Sequence, residues 1–170
     1  MSAEVLVGGR RPLAVIDIDG VLADVRHRLH HVVARPKDWD AFFAAAPDDP
    51  VLETGLETAR RLAEVCDLVY LSGRPERCRR DTLEWFTRHH LPAGELLLRR
   101  PDDRRPSRIM KVEVLDRLSQ DASVTVLVDD DPLVCQAARE AGYDVLPAHW
   151  MGESAEQETL ISAQEVDGRT

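Results

Sequence analysis

Short apolar runs recur along the chain with helical patterns between them. Leu13 to Asp17 (LAVID), Leu68 to Ser72 (LVYLS), Glu95 to Arg99 (ELLLR), Val124 to Asp129 (VTVLVD) and, less clearly, Tyr143 to Pro147 (YDVLP) are too short for helices and predict strands. Leu56, Ala59, Leu62, Ala63 and Cys66 repeat at helix-face spacing, as do Ile109, Val112, Leu115 and Leu118, and then Val134, Ala137, Ala138 and Ala141. Strands alternating with helices form βαβ units. Because the strand runs do not alternate apolar with polar, the sheet they build is parallel and covered on both faces. The fold class is a three-layer α/β/α sandwich, Rossmann-like and mainly parallel.

Two segments fall outside this rhythm. Residues 24–53 contain VRHRLHH and WDAFFAAA around Pro36, which predict two short helices and a small cap insert over the site. The last stretch, GESAEQETLISAQEVDGRT, is acidic, poor in aromatics and without a core-facing pattern, so it is expected to fray or pack loosely. This divides the chain into a single domain over 1–150, insert included, and a tail over 151–170. A chain of 170 residues with 44% hydrophobic content supports one such core.

The formal charge of −9 argues against wholesale wrapping of nucleic acid, but it is unevenly spread. Residues 74–111 carry eleven Arg or Lys against six Asp or Glu, whereas 112–170 carry three against thirteen. Cys66, Cys78 and Cys135 are odd in number and lie in separate segments, which favours buried thiols over a disulfide framework. The start, MSAEVLVGGRRP, is not a signal peptide, and no apolar run is long enough to span a bilayer. A soluble cytoplasmic protein without a membrane partner is expected.

In an open parallel sheet, ligands bind beyond the carboxyl ends of the strands. The first run delivers Asp17 and Asp19 there, the second Ser72, Gly73 and Arg74, and the fourth Asp129, Asp130 and Asp131. Carboxylates gathered at one edge repel one another unless a cation sits among them, and Mg²⁺, which takes oxygen ligands and a substrate phosphate, is the natural candidate. Ser72 and Gly73 add a hydroxyl and backbone amides, a phosphate cradle at the start of a helix whose first turn contains Pro75. Lys111 adds a positive charge. The set suits phosphoryl transfer through an aspartyl-phosphate.

The order of DIDGVL, LSGRP, Lys111 and VLVDDD resembles the haloacid dehalogenase (HAD) superfamily over residues 13 to about 147. That resemblance implies Asp17 as nucleophile and Asp19 as the acid that protonates the leaving oxygen and then activates water. It also implies Ser72 and Lys111 as phosphoryl ligands. Mg²⁺ would be held by Asp17, the Asp19 main-chain carbonyl and the acidic pair, with Asp130 preferred over Asp129. An acid two residues after the nucleophile points to a phosphatase. DIDGVLADVRHR, LSGRPERCRRDTLEWF and LLLRRPDDRRPSRIMK further resemble the 3′-phosphatase domain of bacteriophage-type polynucleotide kinases. By that resemblance Arg28 and Arg74 bind substrate, and the substrate is a phosphorylated nucleic-acid 3′ end. The family has an acidic residue four positions before the motif lysine, where this chain has Ser107. No Gly-x-x-x-x-Gly-Lys-Ser/Thr stretch occurs, so a free-standing phosphatase is expected, with any kinase as a separate partner.

Simpler readings accompany these. Asp131 before Pro132 is a helix N-cap. His27, His30 and His31 lack the partners of a zinc site and are read as a solvated helix face. Trp39, Phe42 and Phe43 anchor a small core or, if exposed, stack bases. Arg99, Arg100, Arg104, Arg105 and Arg108 are either a solvated loop or phosphate contacts. Removing the charge of Asp17 or Asp19 is expected to abolish hydrolysis with the fold intact or slightly more stable. Two competing functions remain: a small-molecule phosphatase acting on nucleotides or sugar phosphates, with a second copy of the chain supplying a lid, and a receiver-like signalling module. The receiver is disfavoured because it carries its acidic pair on the first strand, not the last.

Overall fold

The computed structural model describes residues 9–152 and 154–168. Its centre is a five-stranded parallel sheet in the order β3-β2-β1-β4-β5, built from β1 (Leu13–Ile16), β2 (Asp67–Pro75), β3 (Gly94–Arg99), β4 (Val124–Asp129) and β5 (Val145–Pro147). All five expected strands are present. The absence of alternation in β1 has its predicted cause: Ala14 and Ile16 enter one core and Val15 the other. The first core is closed by α3 (Glu53–Val65) and α4 (Arg79–Arg88), through Ala59, Trp85 and Phe86. The second is closed by α5 (Ser107–Ser119) and α6 (Pro132–Glu140), through Met110, Val114, Leu115, Val134 and Ala138. Three layers result.

The strand order reverses between β1 and β4, which lie side by side at the centre of the sheet although most of the chain separates them. At such a switch point the loops leave in opposite directions and open a crevice. Asp17 follows β1 and Asp129 ends β4, so the two acidic motifs converge there.

Residues 24–53 contain the two short helices expected of them. A 3-10 turn (Arg26–Arg28), α1 (His30–Val33) and α2 (Trp39–Ala44) enclose a third core of Val25, Leu29, Val32, Phe42 and Phe43. The Trp39, Phe42 and Phe43 rings pack on one another, with Phe42 fully buried and Phe43 nearly so. The core-anchor reading holds for Phe42 and Phe43, and Trp39, partly buried, packs on both.

Three expectations are corrected. The tail does not fray: Ala155–Asp167 is a helix, α7, capped by Ser154, whose side chain accepts from the Gln157 amide, and ended by Gly168 in the left-handed region. Leu160 joins the third core, Lys37 pairs with Asp167 and Arg108 with Glu165. Its buried side is faint in the sequence because Gln157 and Gln164 share it with Leu160 and Ala163. Second, Pro75 is not in a first helical turn. It ends β2 in register with Arg99, and α4 begins only at Arg79, so the cradle at Ser72 and Gly73 is the irregular carboxyl end of a strand. Third, α5 is rotated from the expected face: Ile109 is exposed, and Ser107, Met110, Lys111, Val114 and Leu115 face inward. The rotation takes Lys111 into the crevice.

Candidate active site

The loop after β1 is wound tightly enough to present two carboxylates in opposite directions. The Ile18 carbonyl accepts from the amides of Val21, Leu22 and Ala23, and Gly20 turns with φ +79°. A Cβ at Gly20 would stand 2.0 Å from Asp130 Oδ2, so only glycine fits both the turn and the acidic neighbour. Gly20→Ala is therefore expected to displace Asp130 and lower kcat by at least about tenfold, the equivalent of about 1.4 kcal/mol. Steady-state kinetics beside a circular dichroism spectrum check this, and a folded, fully active variant would contradict it.

Asp17 lies in a cluster with Asp129 and Asp130, each offering an oxygen within 4.8 Å of the others. Its Oδ1 accepts from the Ile18 amide at 2.8 Å, and its Oδ2 lies 3.1 Å from Lys111 Nζ. Lys111 donates at 2.6 Å to Asp129 Oδ2, while Asp129 Oδ1 accepts from the Asp131 amide at 2.9 Å. Asp129 is thus fixed by the protein on both oxygens. Burial is the main force on the cluster's protons. It lifts Asp17 to about 8, with Lys111 opposing and the charges of Asp129 and Asp19 adding to it. Burial and the charges of Asp17 and Asp129 hold Asp130 well above the carboxylate range. For Lys111 burial acts the other way, but Asp129 and Asp17 outweigh it and keep the ammonium charged. One ammonium among three carboxylates leaves positive charge lacking, and an all-oxygen donor set at this spacing fits a hard divalent cation such as Mg²⁺.

Asp19 faces the other way, into a buried guanidinium pair. Its Oδ1 accepts from Arg28 Nη2 at 2.8 Å and from Arg74 Nη2 at 2.6 Å. Burial alone would raise its pKa, but Arg74 and then Arg28 hold it far below the usual range. Both arginines are essentially unexposed. Sequence resemblance has them gripping substrate; in this structure both guanidiniums donate to carboxylates, and those contacts fix the place of Asp19. The second carboxylate is Asp49, which the sequence reading missed. Asp49 accepts from Arg28 Nε and Nη2, both at 2.7 Å, from Arg74 Nη2 at 3.1 Å, and pairs with His27 Nε2 at 2.7 Å. Its main-chain carbonyl accepts from the buried indole of Trp85 at 2.8 Å. His27, exposed at the surface as expected, thereby also joins this network.

Ser72 is buried near the carboxyl end of β2, and its Oγ accepts from the Arg74 amide at 3.1 Å. The Gly73 carbonyl accepts from Arg99 Nε at 3.3 Å. Arg99 departs from its loop reading: it is 1% exposed and donates also to the Arg105 carbonyl and to Ser107 Oγ. Burial lowers its pKa to about 10. Ser107, in place of the family's acid, is thus a neutral acceptor for Arg99, and Lys111 takes its orientation from Asp129. The Asp131 side chain caps α6 through the Leu133 amide with Pro132 at the first position, as expected. The three cysteines are buried and none is in a disulfide.

The model of the polynucleotide kinase PNKP phosphatase domain in the HAD superfamily matches residues 12–149. The chain belongs to that family. It is a HAD-type phosphatase, and the residues matched span every element from β1 to β5. A chain in the structure of the Pnkp1/Rnl/Hen1 complex is similar at 20% identity and a TM-score of 0.67, covering 84% of this chain and 47% of its own length. One in the Pnkp1/Rnl/Hen1 RNA repair complex is similar at 19% and 0.69, covering 86% and 45%. This phosphatase domain therefore spans under half the length of those chains. A haloacid dehalogenase-like hydrolase from Streptococcus pneumoniae shares the fold at 14% identity and a TM-score of 0.56, covering 95% of this chain and 93% of its own. No curated protein matches the sequence. Among the described residues no helix is long and apolar enough to cross a membrane.

Proposed function

We propose that this domain removes phosphate from the 3′ ends of nucleic acids by way of a phosphoryl-Asp17 intermediate, with Mg²⁺ as cofactor. The observation that carries the reading is the meeting of Asp17, Lys111, Asp129 and Asp130 at the β1/β4 switch point, 4.8 Å or less between the three carboxylates. The metal would be held by Asp17, the Asp19 carbonyl and Asp130, with Asp129 set aside for Lys111, and it would supply charge stabilisation to the transferring phosphoryl group. The assembly of similar chains in an RNA repair complex supports a nucleic-acid end as substrate and separate end-processing proteins as partners.

In the first step Asp17 Oδ attacks phosphorus, the P–O bond to the 3′ oxygen breaks, and that oxygen takes a proton from Asp19. In the second, water attacks the phosphoryl-Asp17, Asp19 takes its proton, and phosphate leaves. Ser72 and Lys111 hold the phosphoryl oxygens throughout. The arginine pair keeps Asp19 ionised in the free protein, the form needed as base. To act first as acid it must gain a proton, which a substrate phosphate dianion favours by offsetting the charge of Arg28 and Arg74.

A panel of 3′- and 5′-phosphorylated oligonucleotides, nucleoside monophosphates and sugar phosphates, each with Mg²⁺ and with EDTA, tests the proposal. The 3′-phosphorylated oligonucleotide is expected to be the best substrate, inert in EDTA and restored by Mg²⁺. Preference for a sugar phosphate or nucleotide would move the assignment to a small-molecule phosphatase, and full activity in EDTA would remove the metal.

A further inference from the structure

A groove of about 120 Å³ opens beside the phosphate loop, lined by Phe43, Pro75, Arg77, Arg99, Pro101 and Arg104. Its floor continues directly from the site: Pro75 and Arg77 follow the Ser72–Arg74 turn, and Arg99, in the wall, donates to the Gly73 carbonyl. Glu76, also in the lining, is neutralised by its ion pair with Arg79. The remaining charge is positive. Arg77 is held only at the surface, where its Nη2 meets Asp40 Oδ1 at 2.7 Å and its guanidinium lies 5.5 Å from the centre of the Phe43 ring. The Asp40 side chain is 92% exposed, and exposed pairs of this kind contribute little, about 0.2–1 kcal/mol. Arg104 also lines the groove, from the loop after β3, its Nη1 donating to the carbonyls of Pro101 and Asp103.

We infer that this groove binds the internal phosphodiester next to the terminal 3′-phosphate, with Arg77 and Arg104 as its ligands, and so selects a polynucleotide end over a mononucleotide. The inference rests on the function proposed above. When the terminal phosphate sits at Ser72 and Lys111, a nucleic-acid end has a second anion one nucleotide away, and a nucleoside 3′-monophosphate has none. Two arginines flanking one phosphodiester match its oxygens as planar forks, and Arg77 exchanges a solvent-screened partner for a charge-assisted one. Asp40 is then a competitor for Arg77.

The test compares KM for three substrates: a dinucleotide with a 3′-phosphate, the same compound with a neutral methylphosphonate in place of the internal phosphodiester, and a nucleoside 3′-monophosphate. In the wild type the charged dinucleotide is expected to have a KM at least tenfold below the other two. Arg77→Ala and Arg104→Ala should each narrow that gap several-fold. Each should also flatten the slope of log affinity against log salt for the oligonucleotide by about 0.7, the value for one phosphate contact on a single strand. Asp40→Asn should widen the gap. Equal KM for the three substrates, in wild type and variants alike, would overturn the groove assignment while leaving the 3′-phosphatase reading in place. Hydrolysis of sugar phosphates with none of the three nucleic-acid substrates turned over would overturn both.

Discussion

Asp49→Ala is expected to lower the melting temperature by roughly 6–20 °C and to reduce hydrolysis sharply in whatever fraction remains folded. Asp49 is 2% exposed and accepts four hydrogen bonds from His27, Arg28 and Arg74. Removing it leaves two fully buried guanidiniums sharing the single carboxylate of Asp19. Breaking a buried ion pair on one side costs about 3–5 kcal/mol, which for a domain of this size corresponds to that thermal shift. The loss extends to the reaction, because Arg28 and Arg74 then crowd Asp19 and change its orientation. Thermal melts of wild type and variant decide the matter, and a shift under about 2 °C would show that the network carries no stability.

Asp17→Asn is expected to reduce turnover by at least about 10³-fold, about 4 kcal/mol of transition-state stabilisation, while the melting temperature stays level or rises. An amide is not a nucleophile toward phosphorus, so the covalent route closes. Stability moves the other way because the substitution removes one of three crowded carboxylates, and Lys111 keeps its 2.6 Å bond to Asp129. Rapid quench followed by acid precipitation should trap labelled phosphate on wild-type protein and none on the variant. A variant with normal turnover would exclude the covalent intermediate.

The sequence reading treats Asp19 as Asp17's equal, a charge whose removal leaves the fold intact. The buried arginines reverse this for Asp19→Asn, since Arg28 and Arg74 both depend on its Oδ1, and that variant is expected to be less stable as well as inactive. The contrast shows which information is local. Asp17, Asp19, Ser72, Lys111, Asp129 and Asp130 could be found because each follows an apolar run or opens a helix, and strand ends in a parallel sheet meet at one edge. Arg74 was found at the second strand end and given a role through family resemblance, Arg28 was found through resemblance alone, and their partner Asp49 not at all. Asp49 sits in DDP between α2 and α3, where an acidic residue beside proline suggests only a turn. The one available signal was charge balance: two arginines assigned to a buried site already holding Asp19 call for a second carboxylate. Arg99 was hidden in the same way, among four other arginines that stay at the surface. The helix α7 was missed because its inward side carries two glutamines, although Ser154 followed by Gln157 and later by Gly168 marks both of its ends.

The indole of Trp85 donates to the main-chain carbonyl of Asp49, and that of Trp150 donates at 2.8 Å to the Val21 carbonyl in the loop after β1. Trp39, the remaining tryptophan, packs against Phe42 in the insert. Two of the three tryptophans therefore report on main-chain carbonyls next to the carboxylates, and the third reports on the insert. Ultraviolet emission from the unlabelled protein is in consequence an optical probe of this region: Trp39→Phe leaves the signal of Trp85 and Trp150, and single Trp→Phe variants at those two positions separate the Asp49 side from the Val21 side.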